Sequence, residues 1–347
     1  MRSPLLLAAL LTMVAWSTPR AESPVSVRLV SARSRLDGSL VSSQAVYADR
    51  ERIYLASSQG KLFVLSRQRA TDFPLLQVIQ DTTAPLTAVR GDRRALYVAS
   101  ADGVLRIYRK GAPLVRVAAL SLSSFGLGAV AVRGADVYVA KGQAQVAVDR
   151  AAVYLTALNE GEVGIRLAKE TLAPIMSYGQ TFAPYTTVVF HQHTGARVGG
   201  VPTPFDVWGH PAQPNLYVSG AMLAQTVPGC CGSGIFLYDA GSLQLQQFIP
   251  RRFTNTVTHS GRWLIAGNEG GQVDVFDLSR TPSPLVSTID LRAVTGHTGS
   301  EDIEIRALWT DSRDNLIFAG SSWGNEQSRR SSLPSFFVLE LAPTNDR

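Results

Sequence analysis

The chain has 347 residues, 45% of them hydrophobic, which is enough to bury a large core. Its 29 Gly and 18 Pro are dispersed rather than clustered, as many short strands and turns require. The formal net charge of +6 is spread thinly with no run of five like charges, which excludes a nucleic-acid-binding stripe and leaves a solvated surface.

Residues 1–21 read as a secretory signal peptide. Arg2 supplies the charged start, and residues 5–14 form an apolar segment too short to span a bilayer. Ala15-Trp16-Ser17, or Ala21, offers a small-residue cleavage site. Arg2 and Arg20 leave with this leader. No Cys follows the apolar segment at a lipoprotein position, and no Asn-x-Ser/Thr sequon occurs. No other segment approaches the length of a membrane span, so we expect a soluble exported protein, secreted or periplasmic, with no transmembrane segment.

Residues 23–33, SPVSVRLVSAR, alternate apolar and polar at Val25, Val27 and Leu29, which predicts a strand. It has no hairpin partner nearby and is expected to complete the last sheet of a closed ring. From there one pattern recurs: aromatic or aliphatic, apolar, small, turn, second apolar strand. Residues 53–66 read IYLASSQGKLFVLS, 96–108 LYVASADGVLRIY and 137–142 VYVAKG. Residues 216–220 read LYVSG with IFLYD at 235–239. Residues 264–266 read LIA with VDVFD at 273–277, and 316–320 read LIFAG with FFVLEL at 336–341. The triplets start at Tyr54, Tyr97, Tyr138, Tyr217, Leu264 and Ile317, in steps of 43, 41, 79, 47 and 53.

A period of 40–50 residues built from short strands marks a β-propeller. The step of 79 covers two periods and is expected to hide a blade, with remnants at 172–185 and in TTVVF at 186–190. AAVYLT at 151–156 reads as a later strand of the third blade. The expectation is an all-β chain forming a single β-propeller over 24–343. Seven blades are expected, with six as the alternative, and the ring is closed by the N-terminal strand. Each blade has two apolar faces that only its neighbours can cover, and ring closure leaves few exposed edges. The small residues Ala56, Ala99, Ala140, Ser219, Ala266 and Ala319 would let adjacent sheets pack closely. Helical signal is nearly absent.

Residues 272–291, QVDVFDLSRTPSPLVSTIDL, resemble the repeat of LVIVD-type and YVTN-type propellers, which are WD40-like. The matching residues are Val275, Asp277, Leu278, Ser279, Pro282, Pro284, Leu285 and Val286. Residues 52–66 and 95–108 match less fully, and no Gly-His…Trp-Asp signature is present. The resemblance implies a propeller, often exported, with no single activity attached.

If strands A to D of each blade run from centre to rim, the B–C and D–A connections share one face and the A–B and C–D turns share the other. The A–B turns read as short and polar, at 49–51, 91–93, 260–261 and 311–314. Long B–C loops are expected at 221–234 and 321–335 and a long D–A loop at 292–302, all in blades five to seven. Long loops on a rigid scaffold are where binding usually resides. Trp323, Arg329 and Arg330 lie there and are residue types that dominate recognition. So do His297, Glu301 and Asp302, whose chemistry suits hydrogen bonding, acid–base work or a cation such as Ca²⁺.

Cys230 and Cys231, the only cysteines, are adjacent. In an exported chain they are expected to form a vicinal disulfide, Cys230–Cys231, eased by Gly229 and Gly232; the alternative is two thiols. The pair is similar to the one that quinone-dependent alcohol dehydrogenases stack on their cofactor. This chain is shorter and lacks their Trp-rich repeats. His191 and His193, H-x-H on one strand face, are half of a metal site without an evident third ligand. His210 and His259 are placed in A–B turns. No Gly-x-Ser-x-Gly, P-loop or zinc motif occurs. The preferred reading is a non-catalytic module that binds a protein, peptide or glycan on the loop-rich face, with no cofactor assigned. A propeller enzyme (lyase, lactonase or hydrolase) and a redox or quinone-dependent protein are the alternatives.

Overall fold

Each turn of the repeat becomes a four-stranded antiparallel sheet in the computed structural model. It describes residues 25–36, 38–40, 42–68, 72–156, 162–179, 186–201, 215–227, 233–296, 303–311, 313–323 and 334–343. Strand β1 (Val25–Arg33) is followed by a small hairpin, β2 (Arg35–Leu36) and β3 (Ser39–Leu40). Blade 1 is β4 (Ser43–Ala48), β5 (Arg52–Ser57), β6 (Leu62–Ser66) and β7 (Leu75–Ile79), innermost strand first. Blade 2 is β8 (Leu86–Gly91), β9 (Ala95–Ser100), β10 (Val104–Arg109) and β11 (Val115–Ser121).

Four two-strand units come next in the chain. They are β12 (Leu127–Arg133) with β13 (Asp136–Lys141), then β14 (Gln145–Asp149) with β15 (Ala152–Thr156). After them come β16 (Glu162–Ala168) with β17 (Pro174–Gly179), and β18 (Thr187–His191) with β19 (Arg197–Val201). Blade 3 is made of the first and third units, and blade 4 of the second and fourth. Two neighbouring blades are therefore interleaved.

Blade 5 is β20 (Leu216–Ser219), β21 (Met222–Val227), β22 (Gly234–Asp239) and β23 (Leu245–Pro250). Blade 6 is β24 (Thr254–Ser260), β25 (Trp263–Asn268), β26 (Gln272–Asp277) and β27 (Leu285–Asp290), followed by one short helix, α1 (Leu291–Val294). Blade 7 is β28 (Ile303–Asp311), β29 (Leu316–Trp323) and β30 (Phe336–Pro343), with β1 as its outermost strand. The pairing of β1 with β30 is antiparallel, Val25 opposite Pro343 and Arg33 opposite Phe336, and it closes a ring of seven blades as the sequence predicts.

The core lies between blades. The buried apolar side chains of the described residues form seven clusters, one at each interface. Second and third strands are covered on both faces, so they read as continuous apolar runs: Ile53, Leu55, Phe63 and Leu65 are fully buried. Such burial contributes about 1.5–3 kcal/mol per side chain. Ala56, Ala99, Ala140, Ala266 and Ala319 are buried where neighbouring sheets meet. Outermost strands are half-solvated and keep apolar residues such as Leu76, Val117 and Val198 exposed.

Three readings of the repeat are corrected. Residues 152–156 are the second strand of blade 4, not a late strand of blade 3. The hidden blade is built from β14, β15, β18 and β19, so 186–190 belongs to it while 174–179 is the rim of blade 3. The triplet at Tyr217 lies on the innermost strand of blade 5, and the second strand there is β21. That strand takes up 222–227 of the 221–234 segment read as one long loop, which leaves 228–233 as the B–C connection. Ser219 is accordingly an innermost-strand residue rather than an equivalent of Ala56. Among the described residues, no helix is long and apolar enough to cross a membrane.

Candidate functional site

The seven innermost strands line a central channel that holds a cavity of about 310 Å³. Five of these strands carry a β-bulge at the equivalent place. Register shifts fall between Ser43 and Ala45, Leu86 and Ala88, Leu127 and Ala129, Thr254 and Thr256, and Ile305 and Ala307. The extra residues are Gln44, Thr87, Gly128, Asn255 and Arg306, and all five line the cavity, with Gln145 and Asn215 from blades 4 and 5. A bulge leaves its extra residue out of the ladder and re-aims its side chain. Four of the five are polar and meet the channel. At Gly128 a Cβ would sit 2.3 Å from the Ala144 carbonyl oxygen, where blades 3 and 4 cross. Four of the five bulges begin a polar–small–aliphatic triplet (Gln44-Ala45-Val46, Thr87-Ala88-Val89, Asn255-Thr256-Val257, Arg306-Ala307-Leu308), a signal present in the sequence and missed in reading it.

Bonds between innermost strands tie the channel wall together. The Thr87 hydroxyl donates to the Leu127 carbonyl at 2.5 Å, and that of Thr310 to the His259 carbonyl at 2.8 Å. Arg90, Trp309 and Tyr47 lie toward the A–B end of the innermost strands. Arg90 Nη1 donates to the carbonyls of Val89 at 2.9 Å and Val46 at 3.3 Å. Its guanidinium lies 5.1 Å over the Trp309 ring. Trp309 meets Tyr47 edge-on at 4.9 Å. Burial holds the Arg90 pKa below its ordinary value, offset in part by the phenols of Tyr47 and Tyr217. Burial likewise raises the Tyr217 hydroxyl, while bonds to Ser219 and Thr258 act against it. Toward the other end, Asn255 is only 6% exposed and neither its amide nitrogen nor its oxygen has a hydrogen-bond partner. Arg306 is paired with Glu304.

The A–B face shows a repeated latch. Asp49 Oδ1 accepts from the N–H groups of Glu51 and Arg52, and its Oδ2 is paired with Lys110 of blade 2 at 2.6 Å. Asp92 caps its own turn the same way and pairs with Lys169 of blade 3 at 2.9 Å. Asp311 of blade 7 pairs with Arg67 of blade 1 at 2.8 Å, across the joint that closes the ring. In each case the cation follows the third strand of one blade and reaches the turn of the blade before it. Burial pushes the Asp49 carboxyl up, but Lys110 and the turn N–H groups outweigh it and leave it below the ordinary range. Asp311 is held well below by Arg313 first and Arg67 second, against burial.

Most of the predicted binding residues lie outside the described residues: Cys230, Cys231, His297, Glu301, Asp302, Arg329 and Arg330. Trp323 is the last residue of β29, and its side chain is likewise outside. His191 and His193 do not share a strand face, because the strand ends at His191 and His193 lies in the following turn. The His191 Nδ1 accepts from the N–H groups of His193 and Thr194, both at 3.3 Å, so it caps that turn. The described residues contain no cluster of three His, Cys, Asp or Glu side chains placed to hold a metal. His259 is on innermost strand β24 rather than in a turn, and burial lowers its pKa.

No protein-family model matches the chain, and no curated protein matches it by sequence. Among solved structures the chain is similar to the computationally designed Ika8 protein. The TM-score is 0.57 at 12% identity, over 91% of this chain and 99% of that one. At that identity the likeness speaks for the fold alone. The chain is a seven-bladed β-propeller, as the repeat and its resemblance to known propeller repeats imply.

Proposed function

We propose that this propeller is an exported, non-catalytic binding module that holds a protein, peptide or glycan on the face bearing its B–C and D–A connections. The observation that carries this reading is where three of those connections leave the ring. The B–C connection of blade 5 follows Val227, the D–A connection into blade 7 precedes Ile303, and the B–C connection of blade 7 follows Trp323. Alternating strand direction puts all three on one face, beside the end of the channel lined by Asn255 and Arg306. A rigid sheet scaffold with long connections on one face is a common arrangement for recognition. Trp323, Arg329 and Arg330 supply residue types that anchor partners, and a Cys230–Cys231 bridge would stiffen the neighbouring connection. The leader at 1–21 supports export, and the LVIVD-like and YVTN-like repeat at 272–291 agrees with it.

The test is an array of glycans and peptides probed with the exported chain and with an Arg329→Ala, Arg330→Ala double variant. The expected result is a discrete set of ligands whose signal drops about tenfold or more in the variant, as loss of hot-spot side chains predicts. Ligands held equally by both proteins would place recognition elsewhere.

A further inference from the structure

Among the described residues, the cavity is lined by two arginines and no carboxylate. Arg306 has Glu304 as its counter-ion. Arg90 has none among the described residues. Its protein partners are two backbone carbonyls and the face of Trp309, and its Nε and Nη2 meet no described acceptor. Arg90 is half-buried in the channel wall, so its guanidinium is open to a ligand in the cavity. A carboxylate matches its planar fork through two parallel hydrogen bonds.

Asn255 carries the complementary observation. Its amide is more than nine-tenths buried, lines the same cavity and leaves both a donor and an acceptor unmade. An unmet buried amide is costly to hold. Rotation of this side chain toward the channel would let a ligand hydroxyl, which both donates and accepts, answer both groups. Gln44, Gln145 and Asn215 surround it with further amides, and Tyr217 and Thr258 add hydroxyls nearer Arg90. The volume of about 310 Å³ is at the small end of ligand sites.

We infer that the central channel binds a small hydroxylated carboxylate, with the carboxylate on Arg90 and hydroxyls on Asn255 and the neighbouring amides. This site uses none of the residues at 228–233, 297–302 or 324–333 and stands apart from recognition on the outer face.

Calorimetric titration with glucuronate, glucose and inorganic phosphate tests it, on the whole chain and on Arg90→Gln and Asn255→Asp variants. Circular dichroism and melting temperature establish that each variant is folded. The unaltered protein is expected to bind glucuronate about tenfold or more tighter than glucose. Arg90→Gln should erase that difference. Asn255→Asp, which adds a like charge beside the ligand, should weaken glucuronate by about tenfold or more. The Arg329→Ala, Arg330→Ala variant should bind glucuronate normally, which separates this site from the outer-face reading. Equal binding of glucuronate and glucose, a preference that survives Arg90→Gln, or phosphate binding tighter than glucuronate would each overturn the assignment. No heat with any of the three would mean a channel filled by water only, and would overturn it too.

Discussion

A carboxylate at the start of an A–B turn does two things in this ring. One oxygen of Asp49 or Asp92 satisfies the turn's own N–H groups while the other takes a cation from the next blade. Asp311 extends the scheme across the closing joint, where both side chains are nearly buried, Arg67 at 3% and Asp311 at 7% exposure. Replacing Arg67 by Met leaves Asp311 with only the more exposed Arg313, so a loss on the order of 3 kcal/mol is expected. The three carboxyls are depressed in the folded state. Their stabilisation is therefore complete above the unfolded carboxylate value of about 4 and is lost as pH falls through the folded values. Asp311→Asn should be less stable than the unaltered protein at about pH 7. It should also lose less stability on acidification, because one proton-linked contribution is gone. Urea midpoints at pH 7, 5 and 3 read both effects. Parallel curves for the two proteins would show that Asp311 carries no such linkage.

At the scale of strands, the ring was readable where a strand is buried on both faces. The second and third strands of blades 1, 2 and 6 stand out because nearly every residue of 53–56, 62–65, 96–99 and 264–266 is apolar. The rim strands did not, because one face is solvated and their alternation is weak, as in Val115–Ser121. Blade 5 misled because its innermost strand, Leu216–Ser219, carries the same apolar–apolar–small order as a second strand. Interleaving of blades 3 and 4 was invisible for a deeper reason. Local alternation says which face a residue takes but not which strand it pairs with, so Ala152–Thr156 reads the same beside β14 and β18 as it would elsewhere. The channel residues escaped because bulges break the alternation that the reading relied on. The N-terminal strand was readable through its lack of a local partner, and its role makes a direct prediction. A chain beginning at residue 34 should melt lower and aggregate, because β30 becomes an open edge and Val25 leaves the interface with blade 6. A synthetic peptide of residues 23–33 added in excess should restore much of the loss. Unchanged melting of the truncated chain would show that β1 is not needed for closure.

For the whole ring, the joints are unequal, and this decides where it opens. Blades 3 and 4 exchange the chain three times, so three connections tether them. The 7/1, 1/2 and 2/3 joints each have a charged latch in addition to a buried cluster. The 4/5 joint has neither feature among the described residues. Its cluster comprises, among the described residues, seven buried residues against fourteen at the 6/7 joint. Among the described residues, the Tyr154 hydroxyl donates to the Ala240 carbonyl at 3.0 Å and the Thr187 hydroxyl to the Gln225 side-chain oxygen at 3.2 Å across it. Its innermost strand β20 is four residues long, with only Leu216 buried. Local stability follows buried apolar contact and protected hydrogen bonds, so the low-energy opening of the ring belongs at this joint. Amide hydrogen exchange followed by mass spectrometry should show β20 exchanging well before the innermost strands β4 and β24, by a margin that grows with added urea below the global transition. An opening at this joint would also give a ligand a lateral route to Arg90 and Asn255, so a channel ligand should slow exchange in β20 as well as in the strands that touch it. Exchange of β20 at the rate of β4 would mean that the ring opens as one unit, and the unequal joints would then govern only its assembly.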